Sequence, residues 1–403
     1  MQPVKLVIPG NFWDTQIYAG RLYLFGRSGE IQAINWDSLI GTWQVAVSLE
    51  LALRCAFRQS DYLYGDMSDV LRDQEVREVM TQKFARLADM NLEISVNQMQ
   101  EHMLGQQDNP IPSPHTDSDI YLRQLYISSK SGVFRVTCNG LTRHPVGTRV
   151  KKLWDAPVLG LAASYSTLAL AAGSEGLFEQ SVYHSGLEQG GSAPSNVCSS
   201  HCVDCNWTFH NIYASSQFGV GFLASYHREQ IRDEDGKYHW LRHFERIFRF
   251  DEVFESNTSI QRPTYSWASQ DKICMASNGH LRVVRYNPWA SDVQSQFESA
   301  GSIDLEAEMG SIVSAVVSLF GTVIEFDRGI VVLPSEGAPI RLPGEPVNWR
   351  TFPKSHHYEN QLHVIYGDRL EIYSFNQDYF VDQGEKVSGT RFWGARRRNR
   401  GTL

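Results

Sequence analysis

Three cysteines and two histidines fall between positions 198 and 210, in Cys198-Ser-Ser-His-Cys-Val-Asp-Cys205 and His210. Thiolate sulfur and imidazole nitrogen are the donors of a tetrahedral structural zinc site. Cys198, Cys202, Cys205 and His210 are therefore the candidate ligands, and zinc is the candidate cofactor; the alternative is a loop with free thiols. His239 and His243 form a second pair of metal-ligating type. In a strand, residues four apart lie about 13 Å from each other, so this pair reads as solvated or cross-strand. Asp233 to Gly236 lacks the spaced oxygen ligands of a calcium loop and reads as a polar hairpin tip. His356, His357 and Glu359 could serve as acid and base, but no nucleophile accompanies them.

Cys202, Cys205 and His210 follow a C-x2-C-x4-H spacing that resembles the start of a zinc knuckle. The knuckle's last cysteine falls at position 215, which is Ser215 here, so Cys198 or another histidine must complete the set. The same cysteines read C-x3-C-x2-C, a spacing similar to that of radical S-adenosylmethionine enzymes. Those enzymes are built on alternating β and α units, and the surrounding chain here is all β. No phosphate-cradling G-x4-G-K-[ST], no H-E-x2-H and no G-x-S-x-G occurs. An enzyme with a site at a channel mouth, a hydrolase or lyase, is the competing class.

The remaining chemistry lies at the C-terminal end, Arg391-Phe-Trp-Gly-Ala-Arg-Arg-Arg-Asn-Arg400. Aromatic and guanidinium groups are enriched at binding hot spots, and arginine also pairs with phosphate. Phe392, Trp393, Arg396, Arg397 and Arg398 are the candidate partner-binding residues. They would dock on an acidic protein surface or add a contact to RNA or DNA; a solvated terminus is the alternative.

The elements that must carry these groups are repeated hairpins. Leu22–Ile34, Leu125–Thr137, Leu168–Ser181, Ile273–Val284, Val323–Leu333 and Leu362–Ser374 each join two β-rich runs at a Gly-containing or polar turn. A repeat of about 40 to 50 residues is the spacing of β-propeller blades. The interval between positions 168 and 273 is about twice that length and holds a seventh hairpin, Val220–Tyr226 with Phe244–Phe250. The fold class is thus all-β: a β-propeller of seven blades, with six or eight the alternatives. Val4–Ile8 is expected to pair with the last blade and close the ring, because closure removes exposed sheet edges. The end of the first blade, Ala33-Ile-Asn-Trp-Asp-Ser-Leu-Ile-Gly-Thr-Trp43, resembles the tail of a WD-type or quinoprotein-type blade, which implies a WD40-like member of the β-propeller superfamily. No Gly-His or Trp-Asp signature repeats in the other blades.

A helical insertion follows the first blade. Val76, Val79, Met80, Phe84 and Leu87 share one face of a 3.6-residue repeat, predicting a helix over 66–90 capped by Asp66 or Ser68. A second short helix is expected near Gln98–Leu104, and the Pro-rich stretch 109–119 reads as an extended loop. Residues 43–57 fit strand or helix. The expected divisions are 1–43 for the first blade, 44–119 for the insertion, 120–383 for the other blades and 384–403 for the Arg-rich tail.

Apolar residues make up 42% of the chain, enough to fill the interfaces between blades. The formal charge is −8 with five arginines in the last thirteen residues, so the rest of the chain is more acidic still. An acidic body disfavours broad binding to a phosphate backbone. No apolar run reaches the roughly 18 residues a membrane span needs, and the N-terminal residues do not form a secretory signal. Scattered cysteines in apolar runs point to a reducing cytoplasm. Together these features predict a non-catalytic interaction platform, a subunit or regulator in a multiprotein assembly, with protein partners and no membrane.

Overall fold

The computed structural model describes residues 2–64, 73–112, 114–138, 144–182, 193–216, 221–232, 236, 238–254, 264–277, 279–305, 310–376 and 387–389. Its strands form seven sheets, the blades of a β-propeller. The chain divides into two compact units, one comprising Met1–Pro110, Cys138–Gly147 and Met309–Leu403, the other Ile111–Thr137 and Thr148–Glu308.

The first unit holds three blades. Blade 1 is built from Phe12–Tyr18, Arg21–Gly26, Glu30–Asn35 and Met103–Asp108. Blade 6 comprises Ile312–Ser318, Gly321–Phe326, Gly329–Pro334 and Ile340–Pro343. Blade 7 joins Asn348–Thr351, Gln361–Ile365 and Arg369–Ser374 to the N-terminal strand Val4–Pro9, which pairs antiparallel with Arg369–Ser374 as expected. Leu92–Glu93 adds a short parallel strand to its edge.

The second unit holds four blades. Blade 2 runs through His115–Tyr121, Gln124–Ser129, Gly132–Thr137 and Lys151–Trp154; blade 3 through Gly160–Ser164, Thr167–Ala171, Leu177–Ser181 and Ser195–Cys198. Blade 4 consists of Asp204–Thr208, Asn211–Ser215, Phe222–Arg232 and Tyr238–Phe248, and blade 5 of Thr264–Ser269, Lys272–Ser277, His280–Tyr286 and Phe297–Asp304. The seventh hairpin lies where the doubled interval predicts it.

Six of the hairpins read from the sequence are those between second and third strands, and the seventh, in blade 4, joins the third and outer strands. The turns between first and second strands are different: Tyr165 and Ser166 sit at φ 49° and 57°, Leu122 and Arg123 at 49° and 63°, and Phe209 at 54°. A left-handed conformation costs a non-glycine residue about 1–2 kcal/mol, and these positions carry no Asn-Gly signal. The first strand of blade 2 is polar because its carboxylates serve the next blade. The Leu161 N–H donates to Asp117 Oδ2 and the Ala163 N–H to Asp119 Oδ2, each at 2.8 Å. In the first unit, buried Asp14 accepts from Arg350 Nε and Nη2 at 2.7 and 2.8 Å.

The helical insertion follows the third strand of blade 1 and precedes that blade's outer strand. Its helices are α1 (Trp36–Thr42), α2 (Glu50–Phe57), α3 (Asp61–Tyr64), α4 (Gln74–Ala88) and α5 (Val96–Glu101). Asn35-Trp36-Asp37 therefore opens a helix, with Asn35 Oδ1 accepting from the Ser38 N–H, and Trp36 is buried with its Nε1–H on the Phe57 carbonyl. Helical propensity prevails over alternation in 43–57: Leu49 and Leu53 are buried, whereas Val47 and Leu51 are exposed. The cap of α4 is Asp73, whose Oδ1 accepts from the Glu75 and Val76 N–H groups; Asp66 and Ser68 lie outside the described residues. Met80, Phe84 and Leu87 face the core with Leu6, Leu53 and Phe57, while Val79 is exposed. The second helix begins two residues earlier than expected, at a Ser95–Gln98 capping box, and strands replace much of the expected loop at 103–108 and 115–121. A sixth helix, α6 (Phe250–Phe254), follows blade 4. No described helix is long and apolar enough to cross a membrane.

Candidate functional site

The expected zinc ligands are all described, and the three cysteines meet at one core cluster, with Cys202 and Cys205 inside it and Cys198 packed against it. Cys198 ends the outer strand of blade 3, and Cys202 pairs its backbone with Gly173. Cys205 lies on the first strand of blade 4, and His210 in the turn after it. Cys202 and Cys205 are buried among Ala169, Ala171, Leu177 and Trp207. Burial pushes the Cys202 thiol up to about 12. Among the described residues no three His, Cys, Asp or Glu side chains are arranged to hold a metal ion. All six cysteines are free thiols.

The other candidates separate. His243 faces His227 across the third and outer strands of blade 4, the rings stacked at 4.9 Å; this is the cross-strand arrangement, with a different histidine from the one four residues away. Asp233, Glu234 and Asp235 lie outside the described residues, as do Phe392, Trp393, Arg396, Arg397 and Arg398. In the first unit, His357 Nδ1 lies 3.0 Å from Asp61 Oδ1, and that bond holds the imidazole above its usual range. Glu359 is buried, and desolvation followed by the nearby Asp61 charge raises its carboxyl well above the usual range.

What the structure does assemble is a surface on blade 4. Its second strand pairs with the third only over Phe222–Ala224. The third and outer strands continue as a two-stranded ribbon to Arg232 and Tyr238. The ribbon has two unlike faces, because alternate side chains of a strand point to opposite sides. One face carries His227, Glu229, His243 and, at a bulge, Glu245, joined as His243–Glu229 at 3.3 Å and His227–Glu245 at 3.4 Å. The other face carries Tyr226, Arg228, Arg232, Tyr238, Trp240, Arg242 and Phe244.

At the base of that second face, Arg242 is a buried cation. Its guanidinium lies 3.9 Å from the Tyr226 ring centre and 4.7 Å from that of Trp207. Its Nε–H donates to the His210 carbonyl at 2.9 Å, and Nη1 reaches Glu179 Oε2 at 3.4 Å. Burial lowers the guanidinium pKa, and Glu179 opposes the shift. Two rings and one carboxylate thus replace the water that Arg242 has lost.

Further out the same chemistry becomes exposed. Arg228 lies over Trp240 at 4.6 Å and Tyr165 at 5.3 Å, and Arg232 over Tyr238 at 5.7 Å. Tyr238 is 64% exposed, Trp240 54% and Phe244 49%. Tyr165 leads to His210 and then to Trp289, at centroid distances of 6.5 and 6.1 Å, and Trp289 stacks edge-on to Phe209 at 4.6 Å. Two left-handed turn residues, Tyr165 and Phe209, therefore place rings in a continuous row, in which Phe209 and His210 are buried and Trp289 is exposed. Burial pushes the His210 imidazole down to about 4, and Arg228 and Arg242 add to the shift. Sequence reasoning located this hairpin but not its surface. The available signal was the alternation of Tyr238, Trp240, Arg242 and Phe244.

No family model matches the chain, and no curated protein matches it in sequence. Among solved structures it is similar to the β-propeller domain of Cps50 (Swd1) from Myceliophteria thermophila: 10% identity, 91% of this chain and 96% of that one covered, TM-score 0.50. At that identity the likeness is one of fold, and the fold is the β-propeller. The chain also matches, at 9% identity, the extracellular domain of the putative one-component system BT4673 from B. thetaiotaomicron, over 92% of this chain and 40% of that one with TM-score 0.46. The WD40 β-propeller domain of Doa1 matches at 9% identity, over 67% and 96% of the two chains with TM-score 0.34.

Proposed function

We propose that this propeller is a non-catalytic interaction platform, a subunit or regulator in a multiprotein assembly, that docks its partner on the outward face of the blade 4 ribbon. The observation that carries the reading is the row of exposed rings there, Tyr238, Trp240 and Phe244, interleaved with arginine. Such rings gain most when a partner covers them, because large aromatic and guanidinium groups dominate interface energetics. A rigid blade also limits the ordering cost of association. The tail residues Phe392, Trp393 and Arg396–Arg398 are a second docking element in this reading. Six free thiols, five of them buried, support a reducing compartment such as the cytoplasm.

The test is purification of the tagged full-length chain from its native host beside the Trp240→Ala variant and a version lacking 391–403. A stoichiometric partner that is present with the full chain and lost with Trp240→Ala supports the platform and its location. A clean, partner-free protein overturns it.

A further inference from the structure

We infer that the partner element docking on the blade 4 ribbon is an acidic segment in extended conformation, with carboxylates four residues apart and an apolar side chain midway between them on the same face. This rests on the platform reading and adds the partner's chemistry. The first support is the separation of charge between the two faces. Glu229 and Glu245 lie on the far face, engaged with His243 and His227. Glu179, on the ring-bearing side, is engaged with Arg242. Arg228 therefore lies between two rings, and no carboxylate among the described residues pairs with it. A guanidinium stacked on a ring keeps its edge N–H donors, and that edge fits a carboxylate through two parallel bonds.

The second support is the repeat. Side chains on one strand face recur about every 7 Å, which is the interval from Tyr238 to Trp240. An extended peptide has the same interval, so its alternate positions stay in register along the ribbon, whereas a helix presents neighbours every three to four residues. Arg228 and Arg232, four residues apart, stand about 13 Å from each other along the strand. They match carboxylates four residues apart in an extended segment, with the apolar side chain two residues from each resting on Trp240. Single-stranded nucleic acid would stack on the same rings, but the formal charge of −8 offers no basic groove for its backbone.

The test uses the full-length protein and three fluorescein-labelled probes: a twelve-residue peptide with glutamate at every fourth position, leucine two residues after each glutamate and serine elsewhere, its counterpart with lysine in place of glutamate, and a twelve-nucleotide oligo-thymidine. Fluorescence anisotropy is read at low and high salt, with Arg228→Glu and Trp240→Ala as ribbon variants and Arg341→Glu, in blade 6, as a control. The acidic peptide is expected to bind at least tenfold more tightly than the lysine peptide and to weaken as salt rises. Each ribbon variant is expected to lose at least tenfold, and the control to lose nothing. Equal binding of the two peptides, or binding indifferent to Arg228→Glu, overturns the inference; tighter binding of the oligonucleotide replaces it with nucleic-acid recognition. A native partner lost with Trp240→Ala but retained with Arg228→Glu leaves the platform standing and removes only its acidic partner. The absence of any native partner removes the platform itself.

Discussion

The same hairpin, between third and outer strands, is built in two ways in blades 6 and 4. In blade 6 it joins six residues to four, Gly329–Pro334 and Ile340–Pro343, and its third strand is buried throughout. Ile330, Val332 and Leu342 fill a core, and the strands stop where that core stops. In blade 4 both strands have eleven residues, and the third is buried only as far as Tyr226. Beyond that point no third strand supports them, and an isolated two-stranded ribbon is marginal in water. Contacts between rings and guanidinium groups hold it instead. Burial sets the length of the blade 6 hairpin, whereas the blade 4 hairpin is longer than burial requires. The excess presents a surface.

The strongest way to break this contrast is at its base. Arg242→Ala removes an ion pair, a bond to a carbonyl and two ring contacts from a buried site, and should cost about 3 kcal/mol in denaturant unfolding. Arg341→Ala, exposed on the short hairpin, should stay within about 0.5 kcal/mol. Equal costs would mean that the long hairpin has no special anchor.

Acid should act on the same base. Burial holds the folded His210 imidazole down at about 4, against an ordinary value of about 6.5. Between those values the unfolded chain takes up a proton that the folded chain refuses. Stability is therefore retained above about pH 6.5 and falls as pH drops towards 4, by at most about 3 kcal/mol. His363 in the first unit, pushed by burial to about 3, extends the fall to lower pH. His210→Gln should roughly halve the slope of the stability–pH curve between 6.5 and 4, where His363 contributes an equal share, and leave the part below 4 unchanged, a comparison that thermal melts across this range would make.

Cutting the excess away is a milder change. Deleting 230–240 and joining Glu229 to Leu241 through Asn-Gly, a two-residue hairpin turn, keeps Arg242 and should change unfolding stability by no more than about 1 kcal/mol. A larger loss would make the ribbon part of the fold. Trp240→Ala should have the smallest effect, a few tenths of a kcal/mol up to about 1 for an exposed cation–π contact, despite the large effect expected on partner binding.

How much was legible follows from the same physics. The hairpins between second and third strands stand out in the sequence because their strands are apolar and several turn at glycine: Leu125–Ile127 and Val323–Ile324 are buried on both faces. First strands are harder to see. His115–Tyr121 looks like a polar loop because Asp117 and Asp119 bond to a neighbouring backbone that local periodicity does not reveal. Outer strands such as Met103–Asp108 are partly exposed and lack a clear alternation. The Trp36-Asp37 pair resembles a blade motif by residue type, yet it opens a helix under which Trp36 meets Phe57. The cysteine cluster is dense in sequence, but pairing with other strands sends Cys202 and Cys205 into a hydrophobic core.

By itself the sequence determined the seven hairpins, the pairing of Val4–Ile8 with the last blade and the amphipathic α4, because each rests on local periodicity or on turn residues. Only tertiary structure decided that Arg242 is buried between two rings, that Cys202 and Cys205 enter a hydrophobic cluster against which Cys198 packs and that Tyr238 and Trp240 remain open. Exposure and ionic environment depend on side chains brought from other strands: Glu179 and Arg242 are 63 residues apart, and no local pattern encodes their meeting.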